Sequence, residues 1–197
     1  MPNESKTLAY SASEIDAAIA SVATKASKTE LGSAINTCQI DGAKNMLPCT
    51  ASSKTSNNII FTVNADKTIT AEIPASHGTG STQLAVIVDA AVPERMRNRN
   101  LILSGAPVGG GDTTYKLILQ DRTTGYKTVA SSENGDSEVF TLPGTITTYK
   151  VIITIYETCP AMTVTFKPMI RDAGIADNTY QQYAPSNTEL YNMILAL

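Results

Sequence analysis

The sequence holds one histidine, no tryptophan and three cysteines, Cys38, Cys49 and Cys159, with no C-x-x-C pair among them. Those shortages exclude a zinc finger, a multi-histidine metal centre and an even-numbered disulfide framework. They leave the cysteines to act as small hydrophobes. Charge is scarce as well: 17% of residues are Asp, Glu, Lys or Arg, against about 25% in an ordinary soluble domain. With a formal net charge of −3, the chain has no basic field to hold nucleic acid. The longest apolar runs, Leu84 to Val88 and Val151 to Ile155, are far too short to span a bilayer, so no membrane insertion is expected. The opening Met1-Pro2-Asn3-Glu4-Ser5-Lys6-Thr7 is polar and no apolar stretch follows it, so no secretory signal is expected either.

Hydroxyls fill the space that charges leave. Ser and Thr contribute 42 residues, 26 of them Thr, which favours the pleated, half-buried surface of a strand. The length, 197 residues, suffices for one large domain or a domain with an appendage.

Periodicity divides the chain into three parts. Residues 1–37 read as helical. Ser11-Ala12-Ser13-Glu14 forms a capping box, and small or apolar residues recur at Leu8, Ala12, Ile15, Ile19, Val22 and Ala26. That seam is too narrow for a helix to fold alone, so it calls for partners. Ile15 at a d position and Ile19 at an a position favour three or more strands, making Ile15, Ile19, Val22 and Ala26 the expected oligomerisation residues. Packing of this helix on its own domain is the alternative. A second box, Ser27-Lys28-Thr29-Glu30, starts a short further turn, and Gly42 and Pro48 break helix.

From about residue 57 the period drops to two. Strands are expected at 59–63, 68–73, 83–88, 100–104, 115–120, 126–130, 137–142, 148–157 and 162–167, separated by Asn-, Asp- and Gly-rich turns. This pattern predicts a mainly β sandwich or barrel over residues 38–185. The strand 148–157 is half apolar even on its second face, which marks it as central. Over 186–197, the box Ser186-Asn187-Thr188-Glu189 and the spacing of Leu190, Met193, Ile194 and Leu197 predict a short C-terminal helix.

Residues suited to catalysis are few. His77 lies in a Gly-rich turn and reads as a solvated loop residue. Gly105 to Asp112 has the glycines of a phosphate loop, but Gly111 and Asp112 stand where Lys and Ser or Thr must be, so it reads as a flexible hairpin connection. Glu133, Asp136 and Glu138 are clustered carboxylates of the kind a glycosidase needs in a facing pair; a solvated turn is the simpler reading. Asp172 and Asp177 are the positions where a structural calcium is conceivable, although no dedicated metal loop surrounds them; no cofactor is expected. Arg95, Arg97 and Arg99 alternate, so in an extended segment they would share one face fit for phosphates or acidic glycans, or would simply guard a sheet edge. Tyr115, Tyr126, Tyr149 and Tyr156 are expected in the packing, while Tyr180, Tyr183 and Tyr191 would pin the closing segment.

Glu14 to Ala20 with Lys28 to Gly32, Gly42 to Pro48 with Phe61 to Thr70, and Phe166 to Arg171 with Asp177 to Asn187 and Glu189-Leu190 together resemble bacteriophage or prophage tail-fibre and baseplate minor structural proteins. Glu14-Ile15-Asp16-Ala17-Ala18-Ile19-Ala20 and Lys28-Thr29-Glu30-Leu31-Gly32 look like their linker helices. Gly42-Ala43-Lys44-Asn45-Met46-Leu47-Pro48 and Phe61-Thr62-Val63-Asn64-Ala65-Asp66-Lys67-Thr68-Ile69-Thr70 resemble the start of their sandwich module. Phe166-Lys167-Pro168-Met169-Ile170-Arg171, then Asp177 to Asn187 with Glu189-Leu190, resemble its close. The resemblance implies a jelly-roll sandwich similar to carbohydrate-binding modules, carried as a homotrimer in a phage tail after assembly in the bacterial cytoplasm. It further implies other tail or baseplate proteins and a host cell-surface glycan as partners, and no catalytic residues. A lectin-like module acting beside an enzyme is the second reading, and a glycan hydrolase the third.

Overall fold

The computed structural model describes residues 44–77 and 83–185. The expected N-terminal helix, with Ile15, Ile19, Val22 and Ala26, and the expected C-terminal helix over 186–197 lie outside the described residues.

The described chain is mainly β: β1 (Lys54–Ser56), β2 (Ile59–Val63), β3 (Ile69–Ile73), β4 (Gln83–Ala91), β5 (Leu101–Ser104), β6 (Tyr115–Asp121), β7 (Lys127–Ser132), β8 (Thr148–Ile155), β9 (Met162–Phe166) and β10 (Met169–Asp172). They form two four-stranded antiparallel sheets, β1-β2-β3-β9 and β4-β8-β6-β7, and a two-stranded ribbon of β5 and β10. One apolar cluster draws on all three, with Ile59, Phe61, Leu101, Leu103, Leu117, Val151, Ile153 and Phe166 within it. Tyr115 of one sheet meets Phe166 of the other edge-to-face, their ring centroids 5.6 Å apart. The arrangement is consistent with a β-sandwich.

Local chemistry explains the strands. In β6 every second residue, Tyr115, Leu117, Leu119 and Asp121, is buried, as a period of two requires. β8 lies between β4 and β6, and from Val151 to Ile155 both of its faces are buried, in keeping with its expected central place. The turn joining β2 to β3 is set by Asp66, whose Oδ1 accepts from the amide (3.1 Å) and hydroxyl (2.7 Å) of Thr68. Cys159 is buried and Cys49 packs against the core, as small hydrophobes do.

The chain passes from the β1-β2-β3-β9 sheet to the ribbon within two residues, Lys167-Pro168, between β9 and β10. Pro168 has no amide to donate, so the ladder ends there. Gly105 packs its backbone against this crossing: its carbonyl accepts from the Lys167 amide at 2.9 Å. Its φ is +108°, and a Cβ there would meet the Lys167 carbonyl oxygen at 1.9 Å, so only glycine fits.

Several expectations need correction. Residues 137–142 do not form a strand; they make isolated bridges, Phe140 with Leu101 and Leu142 with Arg97, and one further main-chain bond, from the Ser137 amide to the Leu103 carbonyl (2.7 Å). The reason is that the Leu103 amide donates to the Ser137 hydroxyl (2.9 Å) instead of a main-chain carbonyl, while Val139 points to solvent and Pro143 follows. Lys54–Ser56 and Met169–Asp172 are strands that periodicity did not mark, because β1 has no apolar residue and β10 carries an arginine. Tyr126 is not core: it precedes β7 with φ +69° and is 55% exposed. The Gly109–Gly111 connection is fastened, not flexible. Asn134 accepts from the Gly109 amide (2.8 Å) and donates to the Gly110 carbonyl (3.2 Å), and Tyr115 donates its hydroxyl proton to Val108 (2.8 Å).

Two glycines with different surroundings test this account. Gly105→Ala should cost about 3 kcal/mol through backbone strain and overlap. Gly111→Ala, where a Cβ meets nothing within 4 Å, should stay within about 0.5 kcal/mol. Urea unfolding midpoints of the two variants measure the difference.

Candidate functional site

The three alternating arginines are not one surface. Glu94–Met96 is a 3-10 turn and Asn98 takes φ +53°, so the segment is not extended and no common face exists. Arg95 stacks its guanidinium 5.0 Å from the centroid of Tyr183 and donates to the carbonyls of Met46 (3.4 Å) and Ala184 (3.5 Å). Arg97 donates to the carbonyl of Ile146 (3.1 Å) and pairs with Glu94 (3.4 Å). Arg99 is the exposed member, 3.8 Å from Asp172. Thus Arg95 and Arg97 are braces built on main-chain carbonyls.

Arg95 belongs to a clasp that joins the incoming segment, residues 44–47, to the outgoing one, residues 177–184. Asn45, 1% exposed, is at its centre. Its Oδ1 accepts from the amides of Leu47 (2.9 Å) and Ile170 (3.2 Å), and its Nδ2 donates to the carbonyls of Pro168 (3.2 Å) and Gln181 (2.9 Å). Lys44 adds an ammonium that donates to Asp177 Oδ2 at 2.8 Å, while Asp177 Oδ1 accepts from the amide and hydroxyl of Thr179. The Lys44 hydrogen bond, with those of Thr179, holds the Asp177 carboxyl well below the usual carboxylate range. Asp172 and Asp177 are the positions considered for calcium. The two carboxylates considered for it serve other partners: Asp177 as just described, and Asp172 the Gly174 amide at 2.8 Å and Arg99. Among the described residues no three His, Cys, Asp or Glu side chains group as metal ligands.

Beside the clasp the outer face of the β5–β10 ribbon opens into a cleft of about 160 Å³ lined by Ser104, Gly105, Asp136, Lys167, Asn178 and Tyr180. Register sets Ser104 opposite Met169 and Ile102 opposite Arg171, so Ser104, Met169 and Arg171 share that face. Their neighbours Leu103 and Ile170 point the other way, into the core. Arg171 is 3% exposed and donates from Nη2 to Asp136 Oδ2 at 2.5 Å. Tyr180 donates to the Asp66 carbonyl at 2.8 Å, and burial, with the Asp66 charge second, pushes its hydroxyl up to about 12, so it stays protonated at neutral pH. Asp66 itself is held below the ordinary carboxylate range chiefly by Thr68, with the Lys167 ammonium contributing.

The remaining sequence candidates are structural. His77 is buried at 6% exposure, not solvated. Its Nδ1 lies 2.8 Å from the Pro74 carbonyl and its Nε2 3.1 Å from that of Tyr156, tying the end of β3 to the end of β8. The carboxylates Glu133 and Asp136 serve different cations, Lys116 and Arg171 respectively, while Glu138 receives the Ser137 hydroxyl on its main-chain carbonyl. Tyr180 and Tyr183 do pin the closing segment; Tyr191 lies outside the described residues. Sequence reasoning named Asp136 and Tyr180 but not the cleft, whose parts are scattered over four segments of the chain. No family model matches the chain, and no curated protein or solved structure matches it either.

The clasp yields two measurable consequences. Asn45→Ala leaves buried amides and carbonyls unpaired and should cost about 3 kcal/mol or more in urea unfolding. Asp177 has a lower pKa folded than unfolded, so the native state binds fewer protons. Its stabilisation is complete above the unfolded value, about 4, and is lost as pH falls below it. Stability measured between pH 5 and 2 should therefore decline less steeply in Asp177→Asn than in the parent chain.

Proposed function

We propose that this chain is a non-catalytic structural protein of a phage or prophage tail or baseplate. In this reading residues 1–37 form a trimeric stalk, and a sandwich of jelly-roll type is displayed on it to meet a host cell-surface glycan. The clasp is the observation that carries the reading. Asn45, Lys44 and Arg95 fasten the segments by which the chain enters and leaves the sandwich, so a load applied through the termini falls on these side-chain bonds before it reaches the strand ladders. Such bracing suits a part that is held in an assembly by its ends. The narrow apolar seam through Ile15, Ile19, Val22 and Ala26 supplies the reason for a trimer, and three weak sites on one stalk bind far more tightly than one.

The binding role is favoured over chemistry because no two titratable groups of the cleft are free to act as a facing pair: Asp136 braces Arg171, and Tyr180 donates its hydroxyl to the Asp66 main-chain carbonyl. The same cleft supports the second reading, a lectin-like module working beside an enzyme. Oligomeric state separates the two. Light scattering at micromolar concentration should give a trimer for the full chain and a smaller species for a truncation lacking residues 1–37. A monomeric full chain would overturn the stalk and favour the lectin-like module.

A further inference from the structure

The β5–β10 face carries three buried polar atoms with no partner inside the described fold: the hydroxyl oxygen of Ser104, a residue that lines the cleft, and the Nε and Nη1 of Arg171, whose Nη2 is held by Asp136. Ser104 is 5% exposed, and a buried hydroxyl left unpaired costs about 1–3 kcal/mol. A ligand hydroxyl seated on it would satisfy it.

The size and charge of the cleft narrow the ligand. Its volume of about 160 Å³ is below the range of about 300–1,000 Å³ typical of pockets for larger organic ligands, so it admits a single ring. Its charges balance. Its lining holds one carboxylate, Asp136, and one ammonium, Lys167, and so carries no net charge to draw an anion. The remaining capacity is mixed. Asp136 Oδ1 accepts, Lys167 donates, and the Ser104 hydroxyl and Asn178 carboxamide do both. Met169, 1% exposed, adds an apolar floor and the Tyr180 ring an amphipathic wall. A ring whose adjacent hydroxyls each donate and accept matches this set.

We infer that the cleft formed by Ser104, Asp136, Lys167, Asn178 and Tyr180 binds one neutral sugar ring, the terminal residue of a glycan, through its adjacent hydroxyls. The inference rests on the reading of the sandwich as a glycan-binding part and gives that reading its site and ligand type.

The full chain should be probed on an array of neutral and acidic oligosaccharides, with methyl glycosides of single neutral sugars as competitors. Binding should track glycans that end in one neutral sugar, and the matching methyl glycoside should compete. Ser104→Ala should weaken binding about tenfold while leaving the urea midpoint unchanged or raised, since it removes an unpaired buried group. Asn178→Ala, at an exposed position, should weaken binding without a change in stability. Binding confined to acidic termini, binding to internal segments that no monosaccharide competes, or full affinity in both variants overturns the cleft assignment and leaves glycan binding standing. An array blank at every position overturns the glycan reading itself, and the cleft assignment with it.

Discussion

The carboxamide of Asn45 is the constraint on which the surrounding structure depends. A buried carboxamide offers two donors and two acceptor sites, and here each is used, on four main-chain groups from three places in the sequence. Asp would present oxygens to the carbonyls of Pro168 and Gln181, and Leu would leave all four groups unpaired. Because Pro168 and Ile170 flank Met169, the same bonds fix where β10 begins. That position sets the register against β5 and brings Ser104, Met169 and Arg171 onto one face. Gly105 completes the constraint from the other strand by admitting the Lys167 carbonyl where any side chain would sit. The cleft is therefore a consequence of the crossing at Lys167-Pro168, held from one side by an amide and from the other by the absence of a Cβ.

How much of this was legible in the sequence depends on how local the cause was. The strand alternation of Tyr115 to Asp121 and the doubly apolar run Val151 to Ile155 report burial directly, so β6 and the central place of β8 were readable. β10 was not, since Arg171 is buried on the cleft face beside Met169 only by virtue of Asp136, thirty-five positions earlier in the chain. Residues 137–142 alternate like a strand, yet a single hydroxyl, that of Ser137, replaces the ladder bond that would have made them one. His77 and the arginines were misread for one reason. Their polar atoms meet main-chain carbonyls brought near by tertiary structure, of Tyr156 for His77 and of Met46, Ala184 and Ile146 for Arg95 and Arg97. Sequence pattern registers neighbours in the chain and says little of which carbonyl will arrive from elsewhere. The cleft is the extreme case, because each of its residues taken alone is an ordinary turn or strand-end residue.

The shortage of charge acquires a structural meaning once the partners are known. Many of the charged side chains are spent on one another: Lys44 on Asp177, Arg122 on Asp89, Lys116 on Asp112 and Glu133, Arg171 on Asp136. Threonines occupy surface positions between them. Thr70 and Thr165 lie opposite one another across β3 and β9 with their hydroxyl oxygens 3.1 Å apart, and Thr123 reaches Thr147 and Thr148. Such hydroxyl pairs stabilise neighbouring strands without a field that extends beyond them.

A surface of that kind limits how recognition can work. With charge scarce and much of it paired, little long-range steering is available, so encounter should proceed near the unsteered rate and respond weakly to salt. Specificity then has to come from short-range geometry, meaning hydroxyls and amides placed to be satisfied only by a ligand of matching pattern. A single small cleft that works by this means yields modest affinity, because few polar contacts must offset the entropy of association. In the proposed reading, the helical seam answers that weakness. Repeating the cleft on one stalk raises the effective concentration of the second and third sites, and the bonds of Asn45 tie residues 44–47 of each copy to its own residues 168–181.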